Sequence, residues 1–525
     1  MSTKMPSIDV ELAEVVAAGQ KLNAFGSSST IEGSVVAPNG ETTPVQIIRW
    51  EHEDPENPYN WSLTRKLIIT TIGILVTINS TLGSSLPSNE ISYIADTFNI
   101  TDRNVKILPM SIYLVGYVFG PIVFAPLSEL YGRRWITIST FSLFTLSTMA
   151  AALAPTWSAL LVFRLLAGIG ASAPISVVGG IYADIYESPV ARGRSVAVFF
   201  TTIGFGPLMS PIIAGCSAPT IGWRWSFWIA LIIAGLSFVG LIFLPETYGP
   251  TLLARRAKRL RQAGTHPYLF GPLETKSRGW RDLLQPKTLL PLRMLFTEPI
   301  ITVVCLYLAI LYGIFYMFFG AYPIIFESIY KMSPCRSGAM FLPMGAGELV
   351  AIALGAMYDW LLERSETSKQ PSIRREEIFR LPPACIGGPI TVISVFWLGW
   401  TARTDVPWAV PFASGFVYGI GTQLIFIGLL NYLADAYTIY AASAFAASSC
   451  SRSIFGALLP LVVTKMYDSL GVAWATSTLG FAVLLMSIMP FVLIKYGPYL
   501  RSRSQLCSEL KKEREDRDAE SPIGE

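Results

Sequence analysis

The sequence predicts an all-α membrane protein of twelve transmembrane helices arranged as two six-helix bundles. Three observations predict it. The 525-residue chain is 52% hydrophobic and only 14% charged, where an average soluble domain is about a quarter charged, so most of its surface must be buried or face lipid. Its apolar residues fall into runs of about 20, the length that crosses a bilayer as a helix, and these runs lack the polar face of a soluble helix. Its basic residues collect in alternate loops, as the orientation rule for membrane helices requires.

In chain order, residues 1–62 are mixed, polar and Ser/Gly/Pro-containing. They lack the short basic-then-apolar pattern of a secretory signal and are expected to be cytoplasmic and largely disordered. They end in a turn-rich, acidic and aromatic approach, Asp54-Pro-Glu-Asn-Pro-Tyr-Asn-Trp61. Six spans follow, near Lys66–Leu86, Val105–Leu127, Ile136–Ala154, Ser158–Tyr182, Ser195–Gly215 and Trp225–Leu244. They make a first bundle over residues 63–249. A polar central loop, 250–298, carries Arg255-Arg-Ala-Lys-Arg-Leu-Arg261. The second bundle, 299–496, holds spans near Pro299–Phe326, Gly338–Leu361, Leu381–Thr401, Trp408–Leu430, Ala441–Val463 and Val472–Ile494, before a polar tail over 497–525. A faint echo relates the halves: Ala125-Pro-Leu-Ser-Glu129 ends the second span and Gly355-Ala-Met-Tyr-Asp359 the eighth, each a small residue four before an acid.

Orientation follows from charge. Gly132-Arg-Arg134, Arg192-Gly-Arg194, the central loop and the 363–380 loop with Arg374-Arg375 fall on one side. The 88–104, 155–157, 404–405 and 468–470 connections fall on the other. The density of Lys and Arg makes the first side cytoplasmic, and an even span count puts both termini there. Lys331 and Arg336 run against this trend. On the outer side Asn99-Ile-Thr101 is a glycosylation sequon, whereas those at Asn60 and Asn79 fall in the cytoplasmic approach and in a span.

Composition also excludes functions. Six cysteines without paired spacing and only two histidines make a metal site unlikely to assemble. There is no P-loop, and both histidines, His52 and His266, lie outside the spans, so no Ser/His/Asp set can form within them. A formal charge of +4 is too small to imply nucleic acid. The expected partners are lipid and a small molecule, with no cofactor.

Several motifs converge. Phe124-Ala-Pro-Leu-Ser-Glu-Leu-Tyr-Gly-Arg-Arg-Trp135 joins two spans by a tight basic turn. It resembles the G-x-L-[SA]-D-R-x-G-R-[RK] loop of the major facilitator superfamily. Leu127, Ser128, Gly132, Arg133 and Arg134 match, while Ala125, Glu129 and Leu130 replace its first glycine, its aspartate and its first arginine. Arg164-Leu-Leu-Ala-Gly168-Ile-Gly170 resembles the family's R-x-x-x-G-x-G element, and Gly204-Phe-Gly-Pro-Leu-Met-Ser-Pro211 its antiporter element, matching at Gly206-Pro207 with Pro211 added. Leu244-Pro-Glu-Thr-Tyr248 matches a box after span six. The run from Asn431 to Gly456 is similar to fungal twelve-span drug:proton antiporters. The resemblance implies the major facilitator fold, a monomer, a plasma-membrane location with the vacuolar membrane as alternative, and a proton gradient as driving force. It implies a cytoplasmic gate at Glu129, Gly132, Arg133 and Arg134, and an antiporter seam at Gly206, Pro207 and Pro211. Arg164 is either a cation assisting proton coupling or a helix-end arginine reaching for the interface.

Beside the resemblance, Glu348 is the one carboxylate read as lying deep in a span, and Arg452, deep in the eleventh, is its natural partner. Either Glu348 exchanges a proton for cargo or the two form a static ion pair. Tyr312, Tyr316 and Phe319 share one face of span seven by their spacing, as a cavity wall or as lipid-facing rings, and Gln423 and Asn431 in the tenth span are candidate polar contacts. The expected function is proton-coupled efflux of a small organic molecule by alternating access. An organic-acid or polyamine exporter, a proton-coupled nutrient importer and a transport-dead receptor stay open as alternatives.

Overall fold

The computed structural model describes residues 30–36, 42–264, 269–274, 290–366, 376–437 and 440–503. The expectations for residues 1–29, the side chains of Arg192 and Arg194, the Arg374-Arg375 pair and the tail beyond 503 lie outside the described residues.

Span one, Leu63–Ser85, starts where the Ser62 hydroxyl accepts from the Arg65 backbone N–H at 3.4 Å. The Arg65 guanidinium lies 3.7 Å from the centre of the Trp61 ring, which anchors the approach. Span two, Leu108–Tyr131, contains a π-turn at Gly120–Phe124. There it meets span four, Trp157–Ile185, so closely that a Cβ on Gly120 would lie 2.4 Å from the Ser172 carbonyl oxygen and one on Gly168 would lie 2.1 Å from that of Tyr113. Spans three, five and six are Arg133–Ala152, Pro189–Ser217 and Arg224–Ile242. On span six Ile232, Leu236, Val239 and Phe243 are all exposed and fall on one stripe of the helix. Such a stripe belongs against lipid.

Spans seven to ten are Pro299–Tyr322, Leu342–Glu366, Pro382–Thr401 and Ala409–Tyr437. Among the described residues eleven helices are long and apolar enough to cross a membrane. The remaining crossing is Ala441–Leu458, where Ser448, Ser449, Ser451, Arg452 and Ser453 dilute the apolar run. It continues past Pro460 until the backbone breaks at Gly471, φ 72°. Beyond the break Thr476 sits 3.1 Å from the Tyr467 hydroxyl. Nine residues of straight helix would separate them by about 13.5 Å on opposite faces, so the chain turns back here and the twelfth span begins.

The end of the molecule that carries Arg133 is the basic end. At the opposite end the two halves are tied together. Cys216, at the end of span five, forms a disulfide with Cys335, just before span eight. Arg103 pairs with Asp468, and the Asn89 side-chain amide donates to the Pro334 carbonyl at 3.1 Å. Backbones also touch: a Cβ on Gly338 would lie 2.3 Å from the Pro211 carbonyl oxygen. The disulfide corrects the reading of the cysteines as unpaired. Its members are 119 residues apart, and only the packing of span five on span eight brings them together.

At the basic end the structure also departs from the expected disorder. Strands β1, Thr30–Val36, and β2, Thr42–Ile48, pair antiparallel, with β3, Leu269–Phe270, parallel to β2. Ile48 packs with Leu253 and Ala257 of the basic helix Gly249–Gln262. Asp54 pairs with Arg256, and Glu56 with Arg259 at 3.3 Å. The acidic approach to span one thus lies on the basic segment of the central loop.

A chain cut at a protease site engineered into the central loop is expected to run as one band on a denaturing gel without reductant and as two with it. C216S is expected to give two bands in both lanes. Two bands from the unreduced parent chain would refute the cross-link.

Candidate functional site

Two sites emerge, a charged turn at the basic end and a cavity between the halves. The turn is built on Gly132, whose φ of 98° is left-handed and whose Cβ, if present, would lie 2.3 Å from a Glu246 carboxylate oxygen. That carboxylate accepts from the Arg133 backbone N–H at 2.9 Å, where span three starts with unpaired N–H groups. The Arg133 guanidinium donates to Asp184 at 3.2 Å and to the Ser128 hydroxyl at 2.7 Å, and stacks 5.0 Å from the Tyr248 ring. Glu129 is peripheral: it is exposed and 4.0 Å from Arg133, a geometry worth about 0–1 kcal/mol. Arg134 donates to the Ile242 carbonyl at 3.0 Å. The acids holding Arg133 are therefore Asp184, at the end of span four, and Glu246 of the box after span six. The sequence reading missed both as partners, although the acid in Pro245-Glu246-Thr247 was visible.

Arg164 is neither at the interface nor on the cavity. It is 2% exposed, and its three nitrogens donate to the carbonyls of Pro109, Gly83 and Ser84 at 2.8, 2.7 and 3.2 Å. Its guanidinium lies 4.3 Å from the centre of the Tyr113 ring. This satisfies an arginine in the membrane and braces spans one, two and four. Near it is a buried carboxylate that the sequence reading placed in a loop. Glu90 is 0% exposed and accepts from the Ser226 hydroxyl at 2.7 Å.

In span five, Gly206 lets the Thr81 hydroxyl approach to 2.0 Å of its absent Cβ, the Pro207 carbonyl accepts from Ser85 at 2.7 Å, and Pro211 meets Gly338 as described. Inside a helix proline withholds a backbone donor, and these neighbours fill the seam it leaves.

The cavity is partly open, and its empty space, solvent opening included, is ≈ 470 Å³. Span eight is set against span ten by glycine: a Cβ on Gly347 would lie 2.1 Å from the Phe416 carbonyl oxygen, and one on Gly419 2.1 Å from that of Met344. This aims Glu348 into the cavity, against Gly204 of span five, where a Cβ would lie 2.7 Å from either carboxylate oxygen. Glu348 is 6% exposed, and its Oε2 has no hydrogen-bond partner among the described residues. Arg452, also 6% exposed, enters from span eleven. Its Nε donates to the Ser448 carbonyl at 3.3 Å, and its guanidinium lies 5.5 Å from the ring centres of both Tyr312 and Phe426.

The expected pairing of Glu348 with Arg452 does not form: among the described residues no nitrogen of Arg452 is within 4.0 Å of a Glu348 oxygen. Of the three span-seven aromatics singled out from the sequence, only Tyr312 lines the cavity. Tyr316 and Phe319 share its face but are 0% exposed. Tyr316 hydrogen-bonds Ser84 of span one at 2.7 Å, and Phe319 stacks on Phe341 at 4.9 Å. Gln423 lines the cavity and donates to the Thr201 hydroxyl of the other half at 3.2 Å. Asn431 does not; it lies two turns nearer the basic end, in a small recess with Asp359 and Arg380. Phe315, Tyr418, Thr422 and Phe426 complete the wall. Asn99 is exposed, at the opposite end from Arg133, in a left-handed turn, φ 56°.

A sequence profile described as Major Facilitator Superfamily matches residues 73–460. The chain belongs to this superfamily. It is 36% identical over 466 residues to the MFS-type transporter penM of Penicillium rubens, covering 87% of this chain and 89% of that protein. To the MFS-type efflux pump MFS2 of Trichophyton rubrum and the efflux pump FUB11 of Gibberella moniliformis it is 34% identical over 473 residues, covering 90% of this chain and 79% of each. Among solved structures it resembles the xylose transporter XylE from E. coli, partially occluded and inward open, with TM-score 0.60, 16% identity and coverage of 82% and 97%. It also resembles the human organic anion transporter MFSD10, with TM-score 0.54, 16% identity and coverage of 82% and 99%. These likenesses carry the fold. As a major facilitator the chain is a multi-pass membrane transporter of small molecules.

Two substitutions test the geometry. G132A forces a side chain into a strained backbone and a carboxylate, at a cost of about 1–3 kcal/mol. A lower melting temperature in detergent is expected, and an unchanged one would contradict the turn. G204A should displace the Glu348 carboxyl and lower transport about tenfold or more, the equivalent of about 1.4 kcal/mol, with surface expression retained.

Proposed function

We propose that this transporter exports a small organic molecule across the plasma membrane in exchange for protons. In this reading residues 63–249 and 299–496 are the two bundles that rock about the cavity, linked by the 250–298 loop, with the basic end and both termini cytoplasmic. Outward direction is supported by the two relatives named as efflux pumps, and the cytoplasmic placement of the basic end by its density of Lys and Arg.

One observation carries the proton reading. Glu348 is a buried carboxyl that faces the cavity, and among the described residues one of its oxygens has no hydrogen-bond partner and no cation is paired to it. Ionised, it accepts a hydrogen bond from cargo. Protonated, it loses the charge that makes that bond strong and turns an O–H donor toward the cargo's own donor, so the cargo loses its best partner in a site where an unmet polar group is costly. One carboxyl therefore serves either a proton or a cargo, which is the requirement for exchange. Arg133, held by Asp184 and Glu246, would keep the basic-end turn formed while the cavity changes access. Arg164 would act as a brace, not as a proton carrier.

Everted vesicles made acid inside should take up a transported aromatic metabolite and lose their pH difference as they do so. E348Q at equal expression is expected to lower both about tenfold or more. Uptake that persists after the pH difference is collapsed would sink proton coupling. Uptake only under the reversed gradient would favour an importer, and unaltered uptake by E348Q would remove Glu348.

A further inference from the structure

The cavity leaves two buried polar atoms unmet and one cation with free donors. Glu348 Oε2 and the Tyr418 hydroxyl have no hydrogen-bond partner among the described residues. Both line the cavity, and Tyr418 is 3% exposed. The cation is Arg452. Its Nε is held by the Ser448 carbonyl, but its Nη1 and Nη2 donate to nothing among the described residues. Buried polar groups are nearly always paired in native proteins, and a buried cation without a counter-charge is more costly still.

The groups packed around Arg452 do not supply that charge. Span seven presents Tyr312 and Cys305, span ten Phe426, and span eleven Ser448 and Cys450. Glu348 is the one carboxylate on the same cavity, and it forms no ion pair with Arg452. Gly204 and the glycine-set contact between spans eight and ten hold the acid at one wall, while Ser448 and two aromatic faces hold the cation at another. A separated acid and cation on one aromatic-lined cavity is a template for something that reaches both.

We infer that the cargo is an aromatic molecule carrying an amine, a hydrogen-bond donor charged as the ammonium, at one end and an acidic group at the other. The donor end meets Glu348 and Tyr418, and the acidic end meets the Nη groups of Arg452, whose fork suits a carboxylate. The ring lies along Tyr312, Phe315 and Phe426. The charge count selects this class. Ionised Glu348 and Arg452 sum to zero, so a net-neutral dipolar cargo leaves no residual charge in the membrane. A simple anion would repel the ionised acid, and a polycation would meet Arg452. The inference deepens the proposed exchange, because the donor end of the cargo is what a proton on Glu348 would displace.

The test uses binding to the full-length protein in detergent, where neither a gradient nor a direction exists, so it can fail or succeed independently of proton-coupled export. The probes are 4-(aminomethyl)benzoate, 4-toluate and benzylamine. The wild type should bind the bifunctional probe about tenfold or more tighter than either single-ended one. In R452Q the advantage over benzylamine should fall to about one, and in E348Q the advantage over 4-toluate should do the same. Because these ratios are taken within each variant, general loosening of the fold does not produce the crossed pattern. If neither variant can be purified as a single species, the wild-type order of the three probes decides. No binding of the bifunctional probe at about 10 mM, an equal or reversed order in the wild type, or unchanged ratios in well-folded variants would overturn the inference.

Discussion

Helices in lipid gain little by hiding apolar side chains from a solvent that is itself apolar, so close backbone contact must hold them together. In this chain glycine decides where that contact occurs. Gly168 seats span four on span two, Gly206 seats span five on span one, and Gly347 with Gly419 join spans eight and ten. At each, a single added carbon would collide with a carbonyl or hydroxyl oxygen. The positions of Glu348 and Arg452 are consequences of these seams.

The two deep arginines show what such positioning does. Arg164 and Arg452 are both buried, and each lies over a tyrosine ring. Arg164 has three backbone carbonyls within reach because spans one and two come close at Gly83 and Pro109. Arg452 has one, from its own helix. The first is a satisfied strut. The second keeps donors available to the cavity, and the difference lies in the neighbouring backbone.

Much of this was legible in the sequence. Long uncharged runs, their spacing and the basic turns between them gave the spans, because lipid imposes length and composition directly. Span eleven was legible despite its serines, since the short 468–470 connection and the apolar stretch beyond it marked the return. Glu348 and Arg452 stood out as charges in apolar runs. What did not transfer was tertiary. Helical spacing put Tyr312, Tyr316 and Phe319 on one face correctly, but could not say that spans one and eight cover the latter two. Asn431 fell two turns from Gln423 on the same helix, enough to leave the cavity. Cys216 and Cys335, Arg133 with Asp184 and Glu246, and the hairpin on the basic helix all join segments distant in sequence. The same distance hid the separation of Glu348 from Arg452.

That separation bears on how the proposed exchange could work at all. Had the two met, their mutual attraction in a low-dielectric site would hold the acid ionised and the arginine occupied. Both cargo and proton would then have to break a desolvated ion pair before binding, and a barrier of that kind slows every turnover. Kept apart, each group retains an unmet hydrogen bond. The empty cavity is thereby made less stable than the loaded one, whether the load is a cargo that reaches both groups or a proton that neutralises one. A carrier that exchanges one load for another, and seldom crosses empty, requires that ordering.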